Sequence, residues 1–581
     1  MAVTPSQFLV TDDLTILLGL ISATVFLLHT FYRPQPLVHP ILLGRQSDVA
    51  RVRNPGESAV YRNYGTGLMG RFSLRPNKDV HVLADLVRNE QDSPRTLWNT
   101  KISNATLQDR VAAFGTGLLR LAGLQNGHAD AGVLLLLNDC IEFLIADMAL
   151  ASHSILSLTI TDSTLVGAVL DSHPPAAIIA HADLLPHLLE MIYEAHEKEN
   201  GKGYTIIVVG EPSARTMASV ASKVNVLLWS HVEREGVRVE KTLSPVPKPS
   251  DIFSISFFSD ESGQLQAVQF THENLTAGVA ATRALLPMAH SLNSLDTIVS
   301  SHSLSTAYGR SIAYAAIFEG TSFATLESSK LFPSDEVKVA HDVVDILSAQ
   351  KYPIPSPTIM FMHSGNLISL VDAVLEEAKR NWLSVFAWRH KVSGIVEGFI
   401  TKDSLWDRLV YDGARAKVIG EGAGTVRAVV VGGGPLPASI LTAARVALSV
   451  PFVNMFTHPS VAGPVFASHP LDLQDFYGYE SPTTSAANDE IAPVGPPSVN
   501  IEAKVTGLAF DEAVESGMTD PDGVLLVRGP PVGKLVNPKL VNVEGYVNVN
   551  VPSPTGGEED DRWVGTGVRA SVGTNGAFRI L

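Results

Sequence analysis

Ala131–Leu137 (AGVLLLL), seven residues without a polar side chain, constrains the fold of this 581-residue chain more than any other local feature. A short, continuous apolar run suits a strand buried on both faces, the environment of a parallel sheet. Before it, Leu107–Leu124 carries apolar residues at helical spacing; after it, Asn138 closes the strand and Ile141–Ala151 resumes as a helix. Ala176–Ile179 (AAII) and Tyr204–Val209 (YTIIVV) repeat the theme. Strands alternating with helices predict an α/β architecture, with parallel sheets covered by helices on both faces. The length exceeds one domain and allows a large core.

Charge and cysteine usage narrow the function classes. A net charge of −16 argues against nucleic acid as the main partner, because phosphate contacts need clustered Lys and Arg. The single cysteine, Cys140, rules out an intramolecular disulfide and suits a reducing compartment. It reads as a small buried residue after a strand rather than a nucleophile. His302, His458 and His469 have no metal-like spacing with Cys or carboxylates, so no metal site is expected.

Leu14–Tyr32 (LTILLGLISATVFLLHTFY) is uncharged over about the ~20 residues that a bilayer-spanning helix needs. Asp12 and Asp13 precede it, and Arg33, Arg45, Arg51 and Arg53 follow. That asymmetry predicts a single-pass membrane protein with its main body cytoplasmic. The endoplasmic reticulum is the first candidate membrane; the peroxisome and mitochondrial outer membrane also fit. A signal peptide would need positive charge before the apolar core and a small-residue cleavage site after it. A buried core helix is the competing reading, since Ser22, Thr24 and His29 dilute the run.

The expected organisation is a tail at 1–13, a transmembrane helix at 14–32 and a linker at 33–54, containing the stiff Arg33–Pro40 (RPQPLVHP). An α/β body at 55–495 and a β-rich unit at 496–581 follow. Proline-rich punctuation falls at Leu243–Ser250, and a polar stretch at Glu480–Pro497. Strands are expected at Val499–Val505, Val524–Val527 and Tyr546–Val551.

Phe257–Leu275 reads FFSDESGQLQAVQFTHENL. Its second half resembles the way adenylate-forming enzymes, the acyl-CoA synthetase superfamily, continue after their phosphate loop. That loop normally reads Tyr/Phe-Thr-Ser-Gly-Thr-Thr-Gly-x-Pro-Lys-Gly. Phe257, Ser259 and Gly263 match it, but Asp260 and Glu261 stand where Gly and Thr belong, and Leu265, Gln266 and Ala267 where Pro-Lys-Gly belongs. A phosphate loop aims backbone N–H groups, hydroxyls and one cation at an anion. Here the cation is gone and two carboxylates have arrived, which otherwise read as helix caps or solvated charges.

The resemblance extends along most of the chain. Pro55–Tyr61 (PGESAVY) is similar to the N-terminal lead of eukaryotic long-chain acyl-CoA synthetases. Gly432, Gly433, Gly434 and Pro435, after the strand Val426–Val431, resemble the glycine-rich turn beside the adenine, though alone they fit any tight turn. Val494–Pro497 (VGPP) and Asp522–Pro530 (DGVLLVRGP) resemble later family segments. The resemblance implies the adenylate-forming body, with Ser259, Gly263 and Gly432–Pro435 as a relic nucleotide site. It also implies that Thr271-His272 is structural, opening the helix after the loop.

At the chemical positions the resemblance breaks. Where the family has Tyr-Gly-x-Thr-Glu, this chain has Phe456-Thr457-His458-Pro459-Ser460, and serine is a poor ligand for a hard cation. Ser303-Leu304-Ser305-Thr306 replaces Pro-Leu-Ala-His. Trp563–Ile580 resembles Trp-x-x-Thr-Gly-Asp…Asn-Gly-x-x-x-Ile, with Val568 where the ribose-binding Asp belongs. The family continues beyond this point with a small mobile lid domain. Losing the loop cation, the magnesium carboxylate and the ribose carboxylate would remove roughly 4–9 kcal/mol if the terms added. The expected function is therefore a membrane-anchored pseudoenzyme, a scaffold or a sensor of fatty acid or acyl-CoA, with no resident cofactor. Its alternative is a divergent long-chain fatty acid–CoA ligase using ATP, Mg and CoA. A third reading is an assembled subunit whose lid comes from a partner chain.

Overall fold

The structure is a computed structural model that describes residues 13–31, 36–67, 72–89, 93–124, 132–196, 204–220, 224–242, 244–332, 352–473, 490–507, 520–536 and 563–581. Among these, two eight-stranded sheets and one six-stranded sheet organise the chain. The run AGVLLLL supplies the strand Val133–Leu136, every residue of it buried. It lies inside the first sheet, paired in parallel with Ser157–Ile160 and Ala177–His181. Tyr204–Val209 and Val224–Leu228 extend the sheet on one side. Ile252–Ser259 extends it on the other and turns back antiparallel as Leu265–Thr271.

The second sheet is also mainly parallel. Phe452–Phe456, Ala428–Gly432, Ile359–His363, Thr297–Ser300 and Ser322–Thr325 run side by side in that order. Helices Ile141–Ser152 and Ala307–Glu319 belong to the same hydrophobic core as residues of both sheets. All thirteen residues of Ala307–Glu319 are buried, as expected of a helix enclosed on every face. Its buried polar side chains find partners on neighbouring elements, although Arg310 Nε has none among the described residues. Arg310 reaches Asp147 at 3.3 Å, Ser254 at 2.8 Å and Ser256 at 3.1 Å, while the Tyr314 hydroxyl donates to Asp147 at 2.6 Å.

The third sheet is antiparallel, combining Glu502–Thr506, Asp522–Arg528, Val564–Val572 and Phe578–Ile580. It also recruits two N-terminal strands, Ser47–Val49 and Tyr61–Asn63, the second pairing with Glu502 and Ala503. The buried pair Lys504–Glu57, 2.8 Å apart, ties PGESAVY to this sheet. The strand expected at Tyr546–Val551 and most of the polar stretch Glu480–Pro497 lie outside the described residues.

The apolar N-terminal segment forms the helix Asp13–Phe31. Its described large side chains are about half exposed or more, from Leu27 at 49% to Phe26 at 68%. Among the described residues no helix is long and apolar enough to cross a membrane. The expectation of a spanning helix is corrected to that of an exposed apolar helix. The residues after the linker's first part do have a place: the Leu37 N–H donates to the Gly398 carbonyl at 3.0 Å.

Candidate functional site

The stretch that should cradle phosphate is a closed β-hairpin. Ile252–Ser259 and Leu265–Thr271 pair in register up to Ser259 and Leu265, leaving Asp260–Gln264 as the turn. Asp260 Oδ1 accepts from the Ser262 N–H at 2.9 Å, the Ser262 hydroxyl at 2.6 Å and the Gln264 N–H at 2.9 Å. Its Oδ2 accepts from Gln266 Nε2 at 2.9 Å. The Asp260 and Gly263 N–H groups go to the Gln264 and Asp260 carbonyls, at 3.0 and 2.9 Å. Gly263 sits at φ +74°, where glycine carries no steric cost. These donors are therefore taken up within the loop, by the Asp260 carboxylate and by backbone carbonyls. The Ser262 hydroxyl foremost, then the Gln264 and Gln266 donors, hold Asp260 down at about 2. Asp260 is not a cap for the following helix, one of the readings open from sequence. Thr271 performs that role, in a capping box with Asn274.

Gly432 ends the strand Ala428–Gly432 opposite His363, the last residue of Ile359–His363. Gly433 has φ +76°, and a Cβ there would overlap the His363 ring. Gly434 lies against the Ser364 hydroxyl, and Pro435 is exposed. The space beside the glycine turn thus holds an imidazole. Next to it stands His302, whose ring centroid is 4.3 Å from that of His363 and 5.0 Å from that of Tyr308. His302 is buried, its Nε2 has no partner among the described residues, and burial pushes its pKa well below the usual value.

His458 joins the remaining motifs. Its ring meets Phe258 of the hairpin edge-on at 6.0 Å, and it has a backbone hydrogen bond with Thr566. Its Nδ1 lies 2.7 Å from the Ser460 hydroxyl, and Ser460 is fully buried. Burial pushes His458 down to about 4, so it is neutral at physiological pH. Beyond Thr566, Gly567 takes φ +76° and Val568 packs against the core of the antiparallel sheet. The hairpin, the strand end at Phe456 and the Thr566–Val568 bulge are therefore neighbours. Sequence reading aligned Phe456–Ser460 with a family motif but missed His458 as the contact between them. No local pattern marks it, because its partners lie far away in the chain.

Triphosphate and magnesium do not fit these groups. The hairpin has the neutral Gln266 where a cation is needed, bonded to the Asp260 carboxylate, Ser460 is turned to a neutral histidine, and Val568 offers no acceptor to a ribose. Among the described residues no cluster of three His, Cys, Asp or Glu could hold a metal ion. His272 is buried and accepts from the Leu83 N–H at 3.3 Å through Nδ1, with its ring stacked on Phe253. Cys140 is half-buried, and burial pushes its thiol well up, away from nucleophilic use.

Residues 84–535 match the family model described as AMP-binding enzyme. Long-chain-fatty-acid–CoA ligase 5 of Mus musculus is 26% identical over 357 residues, covering 60% of this chain and 48% of that protein. The chain thus spans about half the length of the curated relatives it matches. Among solved structures, the anthranilate CoA ligase AuaEII in complex with anthranoyl-AMP superposes with a TM-score of 0.58 at 14% identity, covering 87% of this chain and 78% of that one. The long-chain-fatty-acid-CoA ligase FadD1 from Archaeoglobus fulgidus gives 0.55 at 14% identity, covering 88% and 85%. At that identity the likeness is one of fold.

Proposed function

Because the chain belongs to the family of AMP-binding enzymes, we propose that it is an acyl-CoA-synthetase-like pseudoenzyme, a scaffold or fatty-acyl sensor that keeps the adenylate-forming body without its nucleotide chemistry. The hydrogen bonding of Asp260 carries this reading. A loop whose N–H groups already serve an internal carboxylate offers a polyanion few donors and a like charge. His363 beside Gly433 adds to it, since a side chain stands where a flat ring would lie.

We place the protein at the cytoplasmic face of a membrane. The exposed helix Asp13–Phe31 supports this, as do Trp382 (82% exposed), Phe386 and Leu405 elsewhere on the surface. Apolar side chains in such number mark a surface that meets lipid or protein. The second reading is a divergent long-chain fatty acid–CoA ligase that uses ATP, Mg and CoA, favoured by the names of the relatives. A fatty-acid-dependent pyrophosphate-release assay separates the two. The pseudoenzyme reading expects release no faster than without fatty acid, with palmitate or palmitoyl-CoA still binding when nucleotide is left out. Sustained turnover would instead establish the ligase.

A further inference from the structure

Away from the hairpin, a cavity of about 520 Å³ opens between the N-terminal segment and the end of the helix His272–Arg283. Its walls are mostly apolar, with Ile41, Leu42, Leu285 and Pro496 among them. The volume falls within the about 300–1,000 Å³ typical of small-molecule sites. The lining also carries the polar side chains of Arg45, Gln46, Asn63, Tyr64, Ser468, His469 and Ser498, and of these Gln46 alone has a buried polar atom without a partner among the described residues. Gln46 is 8% exposed, and its amide orientation is fixed. Nε2 donates to Asp472 Oδ2 at 2.7 Å, and a carboxylate oxygen can only accept. Its Oε1 is therefore the free end, buried and without a partner among the described residues. A buried acceptor in a lined cavity calls for a donor. Arg45 is exposed nearby, with its guanidinium 5.8 Å from the centre of the Tyr64 ring.

We propose that this cavity binds a single-chain anionic lipid whose head carries a hydroxyl, a lysophospholipid. The aliphatic chain fills the apolar walls, the glycerol hydroxyl donates to Gln46 Oε1, and the phosphate pairs with Arg45. A fatty acid does not satisfy the same groups, because an ionised carboxylate has no proton to give Gln46. The rim explains the source. Ile41 (75% exposed) and Leu42 belong to the short helix Pro40–Leu43, and Leu37 before it is bonded to Gly398, beside the exposed Val396. The cavity therefore opens beside an exposed apolar edge, the kind of surface that meets lipid. The site shares no residue with the hairpin or the glycine turn.

The test is calorimetric titration of the full chain with oleoyl lysophosphatidate below its micelle concentration and without nucleotide. Oleate and monooleoylglycerol serve as parallel probes. One lysophosphatidate per chain is expected, with oleate and monooleoylglycerol each weaker by about tenfold, since each lacks one head-group contact. Gln46→Leu should erase the preference over oleate, and Arg45→Gln the preference over monooleoylglycerol. Ala284→Trp, at an exposed position in the cavity wall, should abolish binding of all three while leaving the melting temperature unchanged. Wild-type binding by a folded Ala284→Trp variant overturns the proposal, as does equal affinity for oleate. Because no nucleotide is present, failure here leaves the pyrophosphate result free to stand or fall separately.

Discussion

Asp260 stands where a phosphate loop needs a small residue, and the Ser262 and Gln264 amides turn inward to it. Its carboxyl is held at about 2, below the unfolded value of about 3.9, so its stabilising effect on the hairpin is complete above that value and is lost as pH falls through about 2. Amide exchange should report this: Ser262 and Gln264 protected near neutrality, and exchanging freely in Asp260→Ala at the same pH. Unchanged protection in the variant would mean that the turn closes for another reason. His272 and His458 act in a higher window. Both are pushed down to about 4 by burial, against about 6.5 when unfolded. As pH drops the unfolded chain takes up protons first, so their contribution is full above about 6.5 and lost as pH falls to about 4. Denaturant midpoints should decline over that range, and His458→Gln should flatten the decline. An identical slope in the variant would remove His458 from the account. The substitutions at Asp260, Ser460 and Val568 were legible in the sequence because each interrupts a motif. The partners of Asp260 and His458 were not, because a motif says which residue is missing and nothing about what its replacement binds.

The strands of the parallel sheets were legible for a plain physical reason. Val133–Leu136, Ala177–His181 and Tyr204–Val209 have little or no polar content because both faces of their sheet are covered. Ser47–Val49 and Tyr61–Asn63 were not legible, being three residues each, the second paired with a strand from the other end of the chain and the first with the second. Nor was the approach of His363 to Gly433, which follows from the parallel pairing of two distant strands. The helix Ala307–Glu319 carries the Arg310–Asp147 pair, both side chains fully buried. Breaking such a pair strands a buried charge and costs about 3–5 kcal/mol. Asp147→Ala should lower the unfolding free energy by about that amount in urea titrations, whereas a loss below ~1 kcal/mol would show that Arg310 finds other compensation.

At the scale of the whole molecule, the fold of the AMP-binding family is present, while three positions that the sequence aligns with the family's nucleotide motifs have internal partners. Asp260 closes a hairpin, Ser460 bonds a neutral histidine, and Val568 joins a hydrophobic core. The two sheets, their shared helices and the third sheet meet no such interruption, and on the proposed reading the fold outlasts the nucleotide site. On that reading, roughly 4–9 kcal/mol of lost charge-assisted contacts corresponds to a loss of about 700-fold or more in affinity. Calorimetric titration of the purified chain with ATP and magnesium tests this most directly. The account predicts no heat of binding up to about millimolar nucleotide. Saturable one-to-one binding at micromolar concentration, dependent on the divalent ion, would contradict it.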